Sequence, residues 1–436
     1  MLKSNDDNDK KRKIIYLDYA SSASYLSANP GAIHELGVKE KKKLENARAK
    51  IAKILNARRD EIIFTSGATE SNNLAILGVV NATKEKGFFR SSEKIPRPFK
   101  NLSPFPHIVT TNIEHASVLE VYKHLERTKQ ARVTYVEVES SGIVNPKKIK
   151  KALTKDTILV SVMYANNEIG TIQPIGEIAK EIRHWKKGKN RFLEHGYFSA
   201  EKFLVLAPSR SQVSKNLFFP FFHTDATQAI NYLPINVQKL GVDLMSFNGA
   251  KIYGPKGVGA LYVKKNTPIS KIMFGGDQEK GLRPGTENVI GVANLAHSLE
   301  ITERIKEKEV KRLSRLRDYF FIRLQEMSKT VFDTPLVISG DLKNRLPNNV
   351  NITIPGIPSD LLVIELSGRG IMASAKSACK AGDGKASHVI QAIHPKTSET
   401  DGSLRFSLGR ETTKKDIDYT IKSLSKILLK LKKWYN

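Results

Sequence analysis

The chain holds a single cysteine, Cys379, and two tryptophans among its 436 residues. One thiol excludes an internal disulfide framework, so Cys379 acts alone or with a partner molecule. Long apolar runs are also missing: no uninterrupted stretch approaches the roughly 18 residues of a membrane helix. Residues Met1 to Lys13 carry Asp6, Asp7 and Asp9 without an apolar core and read as a disordered tail, not a secretory signal. No internal repeat or low-complexity tract is present. These absences together point to the cytoplasm. Acidic residues are scarce against basic ones, 44 Asp and Glu to 71 Lys and Arg, which gives a net charge of +27. Such an excess suits a nucleic-acid or acidic-membrane binder. Lys and Arg are scattered, however, and form no block interleaved with aromatics. A lysine-rich solvated surface is the better reading, and direct nucleic-acid binding is not expected. An acidic protein partner fits either reading.

What is present supports a large core. Hydrophobic residues make up 40% of the chain, enough for two or three ordinary domains. Short runs rich in β-branched residues, Ile62–Phe64, Ile108–Thr110, Val133–Val136 and Ile158–Met163, alternate with helical patterns at Lys42–Leu55, Asn72–Val80 and Val118–Thr128. Alternating βα units with nearly continuous apolar strands predict an α/β fold whose mostly parallel sheet is covered on both faces. Beyond about residue 300 the pattern changes. A long charged helix (Leu299–Glu326) leads to short strands at Val350–Ile354, Ile371–Ala373 and Leu404–Ser407. A terminal helix follows, with Ile417, Ile421, Leu424, Leu428 and Leu431 on one face. The expected organisation is a tail (1–13), a large domain (14–300) and a smaller α+β domain (301–436), which N-terminal residues join. The smaller domain carries the cysteine loop (374–387). Phe88–Pro106 and Lys186–Pro220 read as insertions.

Three pieces fall at expected strand ends, where open α/β sheets bind ligands. Phe64–Ser71 reads as strand, glycine turn and helix start, and its free backbone amides with the Thr69 hydroxyl suit a phosphate. Alone the signal is weak, since Ser and Thr cap many helices. The second piece is His223-Thr224-Asp225-Ala226-Thr227-Gln228. An unpaired carboxylate there is costly, so Asp225 needs a cation: a protonated pyridine nitrogen, or an Arg or Lys in an ordinary salt bridge. The third, Ser246–Gly257, places Lys251 between glycines, 26 residues after Asp225. A lysine in such a site can lose its proton and form a Schiff base. A strand-end Asp followed by a Gly-flanked Lys is the arrangement a pyridoxal phosphate site requires.

Cys379 lies in Ser377-Ala378-Cys379-Lys380-Ala381-Gly382. A lone cysteine is more often a small buried hydrophobe, but no apolar run surrounds this one. Lys376, Lys380 and Lys385 favour a thiolate, which matters because an unperturbed thiol is only about 3% ionised at pH 7.

The whole chain resembles a cysteine desulfurase, within the fold-type I (class V aminotransferase-like) pyridoxal phosphate enzymes. The resemblance runs from Tyr16-Leu17-Asp18-Tyr19-Ala20 to Arg405–Arg410. It includes Thr65–Asn72, Glu114-His115, Asn166–Gly170, Asp225–Gln228, Lys251–Gly257 and Arg283–Thr286. It implies that Lys251 holds the cofactor's aldehyde, Asp225 pairs with the ring nitrogen, and Gln228 bonds the ring hydroxyl. It implies that His115 stacks on the ring and helps move protons. Ala68, Thr69 and the neighbouring amides, together with Thr286 from a second subunit, would hold the phosphate, with Asn248 nearby. Asn166 and Arg405 would bind L-cysteine, Arg405 at its carboxylate, and Asn29 lines the same cleft. Cys379 would take the sulfur as a persulfide, leaving alanine. Its loop, through Ser387, has the length of the family's mobile class, which delivers sulfur to an iron–sulfur scaffold or another acceptor.

The chain also departs from the family pattern. Asn248 and Ala250 stand where Ser and His are usual. Losing a hydrogen bond to a charged group costs on the order of 1.5–3 kcal/mol, so the cofactor would bind about ten- to a hundredfold more weakly. Lys376 replaces a usual glycine, and roughly 20 residues, a helix's worth, are lacking between Ser21 and Asn29. The C-terminal tail is shorter than in some relatives. A selenocysteine lyase or aminotransferase on the same fold, and a cofactor-poor non-catalytic partner protein, remain open.

Overall fold

The computed structural model describes residues 15–24, 27–85, 105–194, 220–331, 336–375, 387–396 and 402–435. Seven strands form one sheet in the order β1-β7-β6-β5-β4-β2-β3. They are β1 (Ile62–Thr65), β2 (His107–Thr111), β3 (Arg132–Val136), β4 (Thr157–Ser161), β5 (Phe221–Asp225), β6 (Leu244–Asn248) and β7 (Gly259–Val263). β7 runs antiparallel to both its neighbours, and every other pairing is parallel. Six strands therefore point the same way and end at one edge.

The near-continuous apolar runs have a plain cause. Alternate residues face opposite sides of a sheet, and here both sides are buried. Ile63, Ile108, Leu159, Leu244 and Leu261 join one core cluster. Their sequence neighbours Phe64, Val109, Val160, Met245 and Tyr262 join the other. Helices α2 (Ala68–Glu85) and α3 (Ala116–Arg127) cover the first face. Helices α1 (Glu35–Leu55) and α5 (Ile175–Glu194) lie on the other, with α4 (Pro146–Ala152) packed on α5 and α6 (Val237–Leu240) nearby.

Helix α7 (Val289–Val331) begins ten residues before the expected Leu299 and packs along α1 and α10 (Lys414–Tyr435). The expected division at 300/301 thus falls inside a continuous helix. A second sheet, in the order β10-β9-β8, is antiparallel and built from β8 (Val337–Ile338), β9 (Asn349–Ile354) and β10 (Gly402–Ser407). Helices α8 (Ser359–Ser367) and α9 (His388–Ile393) accompany it. Ile417, Ile421, Leu424, Leu428 and Leu431 of α10 are buried as the periodicity predicts. The strand expected at Ile371–Ala373 does not form. Only Ser374 makes a bridge there, to Arg405. Most of the first expected insertion lies outside the described residues. Of the second, Lys186–Glu194 belongs to α5, and 195–219 lies outside them.

Candidate active site

The segments singled out from the sequence leave the sheet at its common edge. After β1 comes the Ser66-Gly67 turn into α2. The first-turn amides of a helix have no carbonyl of their own to receive them, so those of Ala68, Thr69 and Glu70 are available to an anion. Gly67 has φ +156°, and a Cβ placed on it would meet nothing within 4 Å, leaving open space beside the turn. The turn is braced from outside. Ser66 N donates to Glu70 Oε2 (2.8 Å), and Arg283 Nε donates to Glu70 Oε1 (3.0 Å), which also offsets that carboxylate beside an anion site. Gly259 of β7 packs directly behind the turn, where a Cβ would sit 2.7 Å from the Gly67 Cα.

After β6, residues 249–251 make a single 3-10 turn that presents an exposed Lys251. Asn248 caps this turn: its Oδ1 accepts the Lys251 amide (3.2 Å). The side chain that departs from the family pattern therefore fixes the lysine's backbone. Ala250 is exposed. Two residues past Lys251, Tyr253 has φ 60° and lies under the Arg410 guanidinium, 3.9 Å from its ring centre.

Asp225 ends β5, the neighbour of β6, and is 6% exposed. Oδ2 accepts from Asn72 Nδ2 (2.8 Å) and Oδ1 from the Thr227 amide (2.9 Å). Among the described residues no Lys or Arg pairs with it. His223, two residues back on the same strand, does not supply the charge. It lies between Ser161 Oγ (2.8 Å) and Ser246 Oγ (3.0 Å), and burial pushes its imidazole down to about 4 against the opposing pull of Asp225. The salt-bridge alternative left open by the sequence is thus not the arrangement found. A buried carboxylate with two donors and no cation matches a protonated ring nitrogen, and the open anion turn matches a phosphate. The residues present fit pyridoxal phosphate.

The loops after β2 and β4 complete the edge. His115 is the N-cap of α3, its Nδ1 accepting the Ser117 amide (3.1 Å) with Ser117 Oγ at 2.9 Å. Glu114 is fully buried and takes bonds from Thr111 Oγ1 (2.6 Å) and the Met163 amide. Desolvation raises it to about 8, so it is largely protonated at neutral pH. Asn166, expected to bind cofactor and substrate, uses its amide internally. Oδ1 accepts from the Glu168 and Ile169 amides, while Nδ2 donates to the Ile113 carbonyl and Met163 Sδ. In this conformation it fixes the 166–169 loop and offers no spare hydrogen bond.

Arg405 of β10 donates from Nη1 to the Asn167 carbonyl (3.0 Å), while its Nε is buried without a partner among the described residues. Burial lowers its guanidinium from the usual range and Glu168 opposes this, a setting that an incoming carboxylate would relieve. Gln228 is half-buried and makes no side-chain hydrogen bond among the described residues, and Thr286 is exposed. Asn29 Oδ1 accepts the Gly31 amide (2.8 Å) in the turn leading to α1.

Cys379 lies outside the described residues, but both flanks of its segment are placed. Ser374 is bonded to Arg405, and Ser387 Oγ donates to Glu168 Oε2 (2.5 Å). An apolar cleft of about 450 Å³ lined by Val337, Thr353 and Ile393–Lys396 belongs to the three-stranded sheet and contains none of these groups. Sequence reasoning assigned no role to Asn72, Ser117, Glu70, Glu168 or His223. The available signal was a polar residue, Asn72, entering the apolar stretch Leu74–Ile76.

The aminotransferase class-V family model matches residues 16–188 and 219–420. The gap falls within Lys186–Pro220, the second expected insertion. The chain is 38% identical to a cysteine desulfurase, IscS, of Dictyoglomus turgidum over 97% of this chain and 96% of that one. The chain belongs to the cysteine desulfurases of the class-V aminotransferase family. A second desulfurase, the IscS of Methanosarcina thermophila, is 38% identical over 93% of this chain and 86% of its own. Among solved structures, a NifS-like protein superposes with a TM-score of 0.73 at 32% identity, covering 92% of this chain and 91% of that one. The fold is thus that of the family.

Proposed function

We propose that this protein is a pyridoxal phosphate-dependent cysteine desulfurase that takes sulfur from L-cysteine onto Cys379 and releases L-alanine. Asp225 carries this reading: a buried carboxylate without a basic partner among the described residues, one strand from the turn that presents Lys251. Bound at this edge, pyridoxal phosphate supplies an electron sink conjugated to the substrate's amino group.

The chain's own residues do the rest. The α2 amides, Thr69, and Thr286 contributed by a second copy in a homodimer hold the phosphate. Gln228 has its amide available for the ring hydroxyl. Arg405 receives the substrate carboxylate. Lys251 Nζ and His115 Nε2 hold and move protons at the substrate carbon. Cys379 as thiolate attacks the substrate sulfur. A sulfur–sulfur bond forms, the carbon–sulfur bond breaks, and its electron pair remains with carbon, which is protonated to give alanine. The persulfide then passes to an iron–sulfur scaffold or another acceptor protein. Among the described residues no helix is long and apolar enough to cross a membrane, and the cytoplasm is the proposed location.

Absorbance and sulfide release test this together. Purified protein with pyridoxal phosphate should be yellow, and Lys251→Ala should abolish the band. Cys379→Ser should keep the colour and stop sulfide release from L-cysteine. A protein that stays colourless after reconstitution sinks the enzyme reading, and unchanged sulfide release removes Cys379 as acceptor.

A further inference from the structure

Asp225 and His115 are joined by a bridge of two side chains that sequence reasoning left without a role. Asn72 Nδ2 donates to Asp225 Oδ2 (2.8 Å) and to Ser117 Oγ (2.9 Å), and Ser117 Oγ lies 2.9 Å from His115 Nδ1. Asn72 is completely buried, and its Oδ1 has no partner among the described residues.

The direction of every bond in this bridge is fixed by chemistry. Carboxylate oxygens accept, so the Asn72 group facing Asp225 is the NH2, and turning the amide over would place its oxygen against the carboxylate. The other hydrogen of the same NH2 goes to Ser117 Oγ, and the serine's own proton goes to His115 Nδ1 because the Ser117 amide makes that nitrogen an acceptor. That nitrogen also accepts the Ser117 amide (3.1 Å). With two donors aimed at Nδ1, the neutral ring carries its proton on Nε2.

We infer that Asn72 and Ser117 are positioning residues that couple the Asp225 carboxylate to the His115 imidazole and hold that ring as the Nε2–H tautomer. The role in turnover rests on the desulfurase reading above; the coupling itself does not. Each bond polarises the next, so a change of charge at Asp225 is felt at His115 through the bridge. The unpartnered Asn72 Oδ1 is consistent with this. The amide is oriented by its two donor bonds, at the cost of an unmade acceptor bond.

The test uses the full chain labelled with 15N-histidine and free of cofactor, with the His115 ring resonances assigned from their loss in His115→Gln. Wild type should show an unprotonated Nδ1 and a protonated Nε2. Asp225→Asn should displace these resonances, and the displacement should vanish in an Asn72→Leu background. Equal displacement in both backgrounds, or a proton on Nδ1 in wild type, overturns the inference. Should Asn72→Leu fail to fold, Ser117→Ala serves, since it retains the backbone amide that His115 caps. It should also uncouple the two groups, whereas Ser117→Thr should preserve the coupling. In the loaded enzyme, Asn72→Leu should lower kcat for sulfide release by about ten- to a hundredfold, with KM changed less than about threefold. An unchanged kcat overturns the positioning role. A wild-type chain releasing no sulfide overturns the desulfurase reading alone, and coupling in the cofactor-free chain would still support the bridge.

Discussion

Arg405 and Ser374 exchange both of their backbone hydrogen bonds, at 2.7 Å from the Arg405 amide and 3.1 Å in return. The strand that presents the guanidinium therefore also fixes the chain five residues before Cys379. Arg405→Lys keeps this bridge and the positive charge but removes the planar fork that grips a carboxylate. The expected result is a KM for L-cysteine raised about ten- to a hundredfold, with the cofactor band unchanged. Steady-state kinetics with absorbance spectra on the same preparation decide this.

At the lysine turn, Asn248 acts as a cap for Lys251. Asn248→Ala should cost about 1 kcal/mol of stability, typical of a lost N-cap, while Asn248→Ser should retain most of it. Thermal melting of the cofactor-free protein separates the two. Ala250→His introduces a donor at an exposed position beside the lysine and should tighten pyridoxal phosphate about tenfold or more, read by equilibrium dialysis.

Behind the anion turn, Gly259 leaves no room for a methyl group, with the Gly67 Cα and the Phe247 carbonyl both 2.7 Å from a built Cβ. Gly259→Ala should therefore destabilise the protein by about 1–3 kcal/mol through overpacking. It should also weaken cofactor binding, because what yields is the turn that faces the phosphate. A variant with wild-type melting temperature and cofactor affinity would show that the two backbones are free to part.

Acid and base act on different groups. His107, between Thr157 and Thr134, and His223 are both lowered to about 4 by burial, against 6.5 in the unfolded chain. Between those values the unfolded chain binds more protons, so stability is lost as the pH falls from 6.5 toward 4. Glu114 is raised from 4.5 to about 8. Its contribution is full below 4.5 and is lost as the pH climbs to 8. Each proton of difference gives a slope of about 1.4 kcal/mol per pH unit. For these three groups stability peaks near 6.5, where the histidine effect ends and only Glu114 continues downward. Urea midpoints from pH 5 to 9 should show this peak, and Glu114→Gln should flatten its alkaline side.

The strands were legible because both sheet faces are buried, which writes short apolar runs rich in β-branched residues, such as Ile158–Val160, into the sequence. The ends of helices were less so. α1 starts at Glu35 instead of Lys42 because its first two turns bury only Gly37 and Glu40 and so leave little apolar periodicity. Ile371–Ala373 has strand-like composition, yet Ser374 alone finds a strand partner, a tertiary matter that no local pattern records. At the site, Asp225, Lys251 and the Gly67 turn were readable from glycine and charge placement. Asn72 and Ser117 were not, because their meaning lies in partners 153 and 45 positions apart. Asn166 shows the reverse case. Its motif was conspicuous, and its amide turns out to stitch its own loop.

The antiparallel strand β7, wedged between β1 and β6, has a consequence during synthesis. The anion turn leaves the ribosome early, just after Thr65, but its backing strand ends at Val263. Roughly 200 further residues must be made before that strand can back the turn, some 10–40 s at about 5–20 residues per second. Through that interval the nascent chain carries half a cradle held only by its own Ser66–Glu70 bond. Cofactor capture is therefore a late event in the life of the polypeptide, dependent on a long-range pairing that is slow to form. A cell short of pyridoxal phosphate would accumulate finished but empty chains, not arrested ones.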